Sequence, residues 1–175
     1  MDLLPEDYVV NAAESCGCLL VRTKKRVRAL WRQGKSSKCP VCMQQGDGNR
    51  QEREMLEQVR CLVDDTPGNI LLFCQVPLPG NLRCDVVLMP RAARETHHLL
   101  VVELDGISHE HKPMHDTESC CGFNATVDSD NKKEEAVRSE GMRFVRVSWT
   151  SMQTSNQWRA RISAELNIIM QQIML

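Results

Sequence analysis

The sequence predicts an α/β fold, a mixed sheet flanked by helices and preceded by a small cysteine-rich segment. Three observations lead there. Apolar runs of strand length recur at residues 70–76, 84–89 and 99–104, each bounded by turn residues. Apolar residues at helical spacing precede and follow these runs. A helix-length polar stretch stands before a fourth, alternating run at 143–149, as a crossover connection requires.

Taken in order, residues 51–63 place Met55, Leu56, Val59, Leu62 and Val63 on one helical face. Asp64-Asp65-Thr66-Pro67-Gly68-Asn69 reads as a turn, and Pro77-Leu78-Pro79-Gly80-Asn81 separates the first two strands. The unbroken run Leu99-Leu100-Val101-Val102 suits a strand buried on both faces. Residues 107–127 are polar and rich in His and Cys, and are expected as a long loop. Asp128 or Ser129 caps a helix running to about Glu140, with Gly141 at its C′ position. In the fourth strand Phe144, Arg146 and Ser148 alternate with Val145 and Val147. A final helix over 156–174 carries Trp158, Ile162, Leu166, Ile169 and Ile173 on one face. The expected order is α-β-β-β-α-β-α, with the three consecutive strands as a meander.

The chain has 175 residues, 42% hydrophobic and 26% charged, enough for a core and too apolar for a disordered chain. No apolar run approaches the roughly 18 residues of a membrane span. The first residues lack both a basic start and an apolar stretch, so no signal peptide and no membrane partner are expected. Nine cysteines, odd in number and unevenly placed, then point to an intracellular, reducing setting (cytoplasm or nucleus) with some thiols on metal rather than to a disulfide scaffold.

A net charge of −1 hides a segregation. Eight of the 22 basic residues lie between Arg22 and Lys38, and no acid occurs from Ser15 to Gly46. The remainder holds 14 basic against 23 acidic residues, a net of −9. Such asymmetry suggests a polyanion partner.

These features divide the chain into a basic, cysteine-rich appendage at 1–48 and a main domain at 49–175. Cys39-Pro40-Val41-Cys42 is a knuckle whose two thiolates can face one Zn²⁺, and Cys16 and Cys18 are candidates for the other two ligands. Four thiolates on Zn²⁺ would organise a segment too small for a core of its own. Cys61, Cys74 and Cys84 fall on expected core elements and read as buried thiols. Between the cysteine pairs, Lys24, Lys25, Arg26, Arg28 and Arg32 are suited to neutralising phosphates, with Trp31 to stack on a base. The plain alternative is a solubilising or localisation patch.

The informative region is 85–105. Asp85 starts the second strand, and Glu103 and Asp105 end the third, two apart and so on one face. If those strands are hairpin neighbours, three carboxylates converge, an oxygen-rich site suited to Mg²⁺ or Mn²⁺ and not to Zn²⁺. Such an ion binds a phosphate oxygen and lowers the pKa of an attacking water. The plain alternative is three solvated turn acids.

The stretches Arg83-Cys84-Asp85-Val86-Val87, Val102-Glu103-Leu104-Asp105-Gly106-Ile107-Ser108-His109, Asp130-Asn131-Lys132-Lys133 and Gly141-Met142-Arg143-Phe144-Val145-Arg146-Val147 together resemble the PD-(D/E)XK nuclease superfamily. Within it they are most similar to small domains related to very-short-patch repair endonucleases. The resemblance covers about residues 50–150. It implies a restriction-endonuclease-like sheet in αβββαβ order and an Mg²⁺- or Mn²⁺-dependent endonuclease acting on DNA rather than RNA. Asp85 and Glu103 would hold the ion, and Asp105 would be a third ligand or a water-orienting acid. Glu52 stands where the family often has a helix Glu; it is equally a first-turn acid favoured by the helix dipole. Asp105 occupies the family's usual lysine position, a replacement this subgroup commonly shows, so a basic group must come from elsewhere. Lys133 could approach the phosphate, or His109 could transfer a proton; the alternatives are a solvated helix lysine and an unpartnered loop histidine. His111, His115, Cys120 and Cys121 lack regular ligand spacing, and a second soft-metal site there stays open. The superfamily also includes non-catalytic RNA-binding relatives, which leaves a nucleic-acid-binding module as the rival reading.

Overall fold

A computed structural model describes residues 8–12, 18–33, 47–78, 82–106 and 117–174. It is a mixed α/β fold. Among the described residues one six-stranded sheet runs in the order β1 (Tyr8–Ala12), β2 (Leu19–Thr23), β3 (Ile70–Pro77), β4 (Arg83–Pro90), β5 (Leu100–Asp105) and β6 (Arg143–Ser148). The expected meander β3-β4-β5 is antiparallel, and β6 joins β5 in parallel. Helix α1 (Lys24–Arg32) follows β2, and α2 (Asp47–Asp64) precedes β3. Helix α3 (Thr117–Ser139) makes the crossover to β6, and α4 (Trp149–Thr154) and α5 (Gln157–Met174) close the described chain.

Two apolar layers cover the sheet. On one face Met55, Leu56 and Val59 of α2 and Ile162, Leu166 and Ile169 of α5 pack against Val86, Leu88, Val102 and Val145. On the other, Val137 of α3 packs with Val87, Val101 and Phe144. Leu100, Val101 and Val102 are fully buried, as their unbroken apolar run predicts for a strand between two layers. Gly141 ends α3 at φ 76°, where Met142 N–H donates to Val137 at 3.2 Å and Gly141 N–H to Arg138 at 3.0 Å, the Schellman pattern that favours glycine. Gly68, at φ 120°, gives the turn before β3, and a Cβ there would meet Met170 Cε at 2.8 Å.

Four expectations change. Residues 8–23 are not confined to an appendage. They form a hairpin whose inner strand, β2, pairs in parallel with β3 through Leu19↔Phe73 and Leu20↔Cys74. Cys18 and Leu20 lie in the same apolar layer as Met55, so a boundary at residue 48 cuts through one sheet and one core. Residues 117–127, expected as loop, belong to α3. The polar, cysteine-rich composition of 117–127, with Gly122 in its middle, offers no clear helical period in the sequence. Cys61 is exposed, being off the α2 stripe, while Cys74 and Cys84 are buried as expected. The short α4, capped by Ser148 Oγ accepting from Ser151 N–H at 3.2 Å, cuts the last strand one residue short of the expected Trp149.

Because β2 shares the core, Leu20→Ala is expected to lower the stability of the whole fold by about 2–5 kcal/mol in urea unfolding, with one transition moving. An independent appendage would leave the main transition in place.

Candidate active site

The β4–β5 ladder runs Leu88↔Leu100, Val87↔Val101, Val86↔Val102 and then stops. Asp85 and Glu103 would be the next pair. The strands part there, and the two carboxylates replace the lost ladder bonds. Glu103 Oε1 accepts from Asp85 N–H at 3.3 Å, and Asp85 Oδ2 accepts from Leu104 N–H at 3.0 Å. Backbone donors freed by the splay are thus satisfied by acids. Asp85 Oδ1 also accepts from Gln75 Nε2 at 3.3 Å.

Above this pair lies α3. It runs antiparallel to β5, and four helix residues advance about 6 Å, close to the advance of two strand residues. Val137 therefore lies over Val101, and one turn earlier Lys133 meets Glu103, its Nζ 2.8 Å from Oε2. A further turn back, Asp130 lies 3.6 Å from Lys133 and 3.6 Å from Arg146 Nη2. Arg146 Nε stands 3.1 Å from Asp105 Oδ2, an ion-pair distance without hydrogen-bond alignment. The result is an alternating row of charges: Glu103, Lys133, Asp130, Arg146, Asp105. With Asp85 added, four carboxylates face two cations, an excess of two negative charges when all are ionised.

That excess is felt at Glu103, only 2% exposed. Burial first, then the Asp85 carboxylate, pushes its carboxyl up to about 8 from an ordinary 4.5, against the hydrogen bond and charge of Lys133. Desolvation works to lower Lys133, but the hydrogen bond and charge of Glu103, followed by Asp85 and Asp130, hold its ammonium above the usual value. Cys84, fully buried beside the pair, has its thiol pushed up by burial and then by Glu103 and Asp85; it stays protonated and acts as an apolar floor.

Of the sequence-derived candidates, Asp85, Glu103 and Lys133 come together. Asp105 does not complete a three-carboxylate set: it is paired with Arg146, and among the described residues no group of three His, Cys, Asp or Glu is arranged to hold a metal. The reason is the partner strand, since β6 runs in register with β5 and brings Arg146 beside Glu103 and Asp105. Glu52 is half-buried on α2, across the sheet from α3; its neighbour Gln51 comes within 3.4 Å of a Cβ built on Gly106, at the end of β5. His109, Cys16, Cys39 and Cys42 lie outside the described residues, as do His111, His115 and the side chains of Trp31, Cys120 and Cys121. Cys18 immediately precedes β2, and its sulfur accepts from the Arg60 guanidinium.

Gln75 had not been anticipated, although a lone amide inside the apolar run Leu71-Leu72-Phe73-Cys74-Gln75-Val76 is a signal. The roles of Asp130 and Arg146 also emerge only from the pairing. Helix α1 begins at Thr23, whose Oγ1 accepts from Arg26 N–H at 3.2 Å. Because β2 is parallel to β3, α1 leaves the sheet at the end where Asp85 and Glu103 sit. Lys24, Lys25, Arg26, Arg28 and Arg32 are exposed.

No protein-family model matches this sequence, and neither does any curated protein or solved structure.

The raised carboxyl at Glu103 gives a signed expectation. A folded value above the ordinary one contributes stability that is complete below about 4.5 and lost as pH rises through about 8. Lys133→Met removes the opposing cation and is expected to cost about 1–3 kcal/mol near pH 9, where the carboxyl must ionise, and little near pH 5. Asp85→Asn removes the repulsion and flattens the same slope. Urea unfolding at the two pH values checks both.

Proposed function

We propose that this chain is a metal-dependent endonuclease that hydrolyses phosphodiester bonds in DNA, a member of the PD-(D/E)XK superfamily that its motifs resemble. The observation that carries the reading is the meeting of the Asp85 and Glu103 carboxylates at the splayed β4–β5 ladder, with Lys133 2.8 Å from Glu103. The donor set is all oxygen, and the excess of two negative charges present when every acid is ionised fits a divalent cation such as Mg²⁺ or Mn²⁺. When bound, such an ion supplies electrophilic stabilisation of the phosphate and a more acidic attacking water. Asp85 and Glu103 would hold it.

Lys133 is the cation that the missing motif lysine would have provided. Its ammonium is positioned to stabilise charge developing on a phosphate oxygen. Arg146 bridges Asp105 and Asp130 and braces the helix that carries Lys133. His109 remains a candidate for proton transfer and Glu52 for a supporting acid. The exposed bases of α1, at the same end of the sheet, would grip the nucleic-acid backbone and offset repulsion from the acidic body, with Trp31 beside them. A cytoplasmic or nuclear setting follows from a DNA substrate; among the described residues no helix is long and apolar enough to cross a membrane. Zn²⁺ on Cys16, Cys18, Cys39 and Cys42 belongs to the same proposal, as a clamp on the segment between α1 and α2.

One observation favours the non-catalytic alternative, a nucleic-acid-binding module. Both Glu103 oxygens already have protein partners, Asp85 N–H and Lys133. A cleavage panel decides. Wild-type chain is expected to nick DNA with Mg²⁺ or Mn²⁺ and not with chelator. Asp85→Asn and Glu103→Gln are each expected to lose about a hundredfold or more in rate while keeping the fold and DNA affinity. Binding of DNA or RNA without cleavage under any metal would leave the binding module instead. Purified chain is also expected to carry about one zinc, lost in Cys39→Ser, by elemental analysis.

A further inference from the structure

We propose that Gln75 is a positioning residue for the Asp85 carboxylate, holding it in the orientation in which it takes a divalent cation with Glu103; the use made of that cation rests on the nuclease reading above. Among the described non-glycine residues, only Asn69 and Gln75 have positive φ, 51° and 54°. Asn69 sits in the turn after Gly68, and asparagine tolerates that region. Gln75 sits inside a strand, where a left-handed residue is costly and where backbone need alone would select glycine or asparagine. A residue that keeps a long amide at such a position points to the amide.

The geometry says what the amide does. The pairs Cys74↔Val86 and Val76↔Cys84 are formed, but the Gln75↔Asp85 pair between them is missing. The two strands change face there. Leu72 and Cys74 lie in the α2–α5 layer and Phe73 in the α3 layer, yet Val76 joins Phe73, and Cys84 joins Val87. This reversal seats Cys84 beneath Glu103 and turns the Gln75 carboxamide to Asp85 Oδ1 at 3.3 Å. The other oxygen, Oδ2, is taken by Leu104 N–H at 3.0 Å. Asp85 is therefore tied at both oxygens, once to β5 and once to β3. Without the amide it keeps only its partners on β5, Leu104 N–H and the Glu103 side chain, and loses its tie to β3. Outer partners of this kind set the orientation of metal-binding carboxylates.

The test uses Gln75→Gly in the full chain, which keeps the left-handed backbone at no steric cost and removes the side chain with its amide. Leu104 amide exchange, followed by NMR without metal, is expected to quicken about tenfold, and the Kd for Mn²⁺ to rise about tenfold, with Tm not lowered. Gln75→Asn, whose amide is too short to reach, is expected to repeat both effects. In an Asp85→Ala background Gln75→Gly is expected to change Leu104 exchange no further, because its route is through Asp85. Unchanged Leu104 exchange, an unchanged Kd in a wild type that binds Mn²⁺, or the same loss in the Asp85→Ala background would each overturn the proposal. Should wild-type chain bind no Mn²⁺ while Leu104 still responds to Gln75 through Asp85, the positioning stands and the nuclease reading fails.

Discussion

A carboxylate as deeply buried as Glu103 is tolerated only with a cation beside it, and Lys133 is that cation. Much of the architecture serves this contact. Val137 anchors α3 on the sheet, so that Lys133 falls over Glu103 and Asp130 over Arg146. The Schellman end at Gly141 sets where the helix stops, and with it the register of β6 against β5. A one-residue slip in either element would leave a charge unpaired, so the polar row constrains the packing as well as depending on it.

The second constraint is the strain at Gln75. A left-handed non-glycine residue costs about 1–2 kcal/mol, and in a strand interior it also forfeits a ladder pair. Strain of this kind persists where neighbouring structure over-determines it. Here the neighbours are β2 on one side and the splayed β4 on the other. The same deviation gives Asp85 its amide partner and brings Cys84 into the floor of the site. Ladder bonding and site geometry thus compete over a few residues, and the site prevails where the strands part.

Helix α1 shows a similar conflict between local and distributed energetics. Its first turn has no acid and carries Lys24, Lys25 and Arg26, the wrong sign for a helix N-terminus. Thr23 caps it, and β2 ties it to the sheet. Local helix energetics would not choose that charge order, whereas a polyanion beside the sheet end would compensate it.

Local pattern determined much of this protein: period-two and unbroken apolar runs define β3 to β6, helical stripes define α2 and α5, and Gly141 marks the end of α3. Asp85 and Glu103 were readable because acids at the ends of apolar strands stand out against those patterns, whereas Lys133 was singled out only through the family resemblance. What only the tertiary structure decided was pairing. β2 joins β3 across more than forty intervening residues, and no local signal specifies that ladder. Asp105 goes to Arg146 and not to the carboxylate pair because of the β5–β6 register. The sign of φ at Gln75 follows from the strands on either side of it, since glutamine has no preference for that region. Side-chain periodicity is a property of the chain; which charge meets which is a property of the sheet order, set by the burial of surfaces distant in sequence.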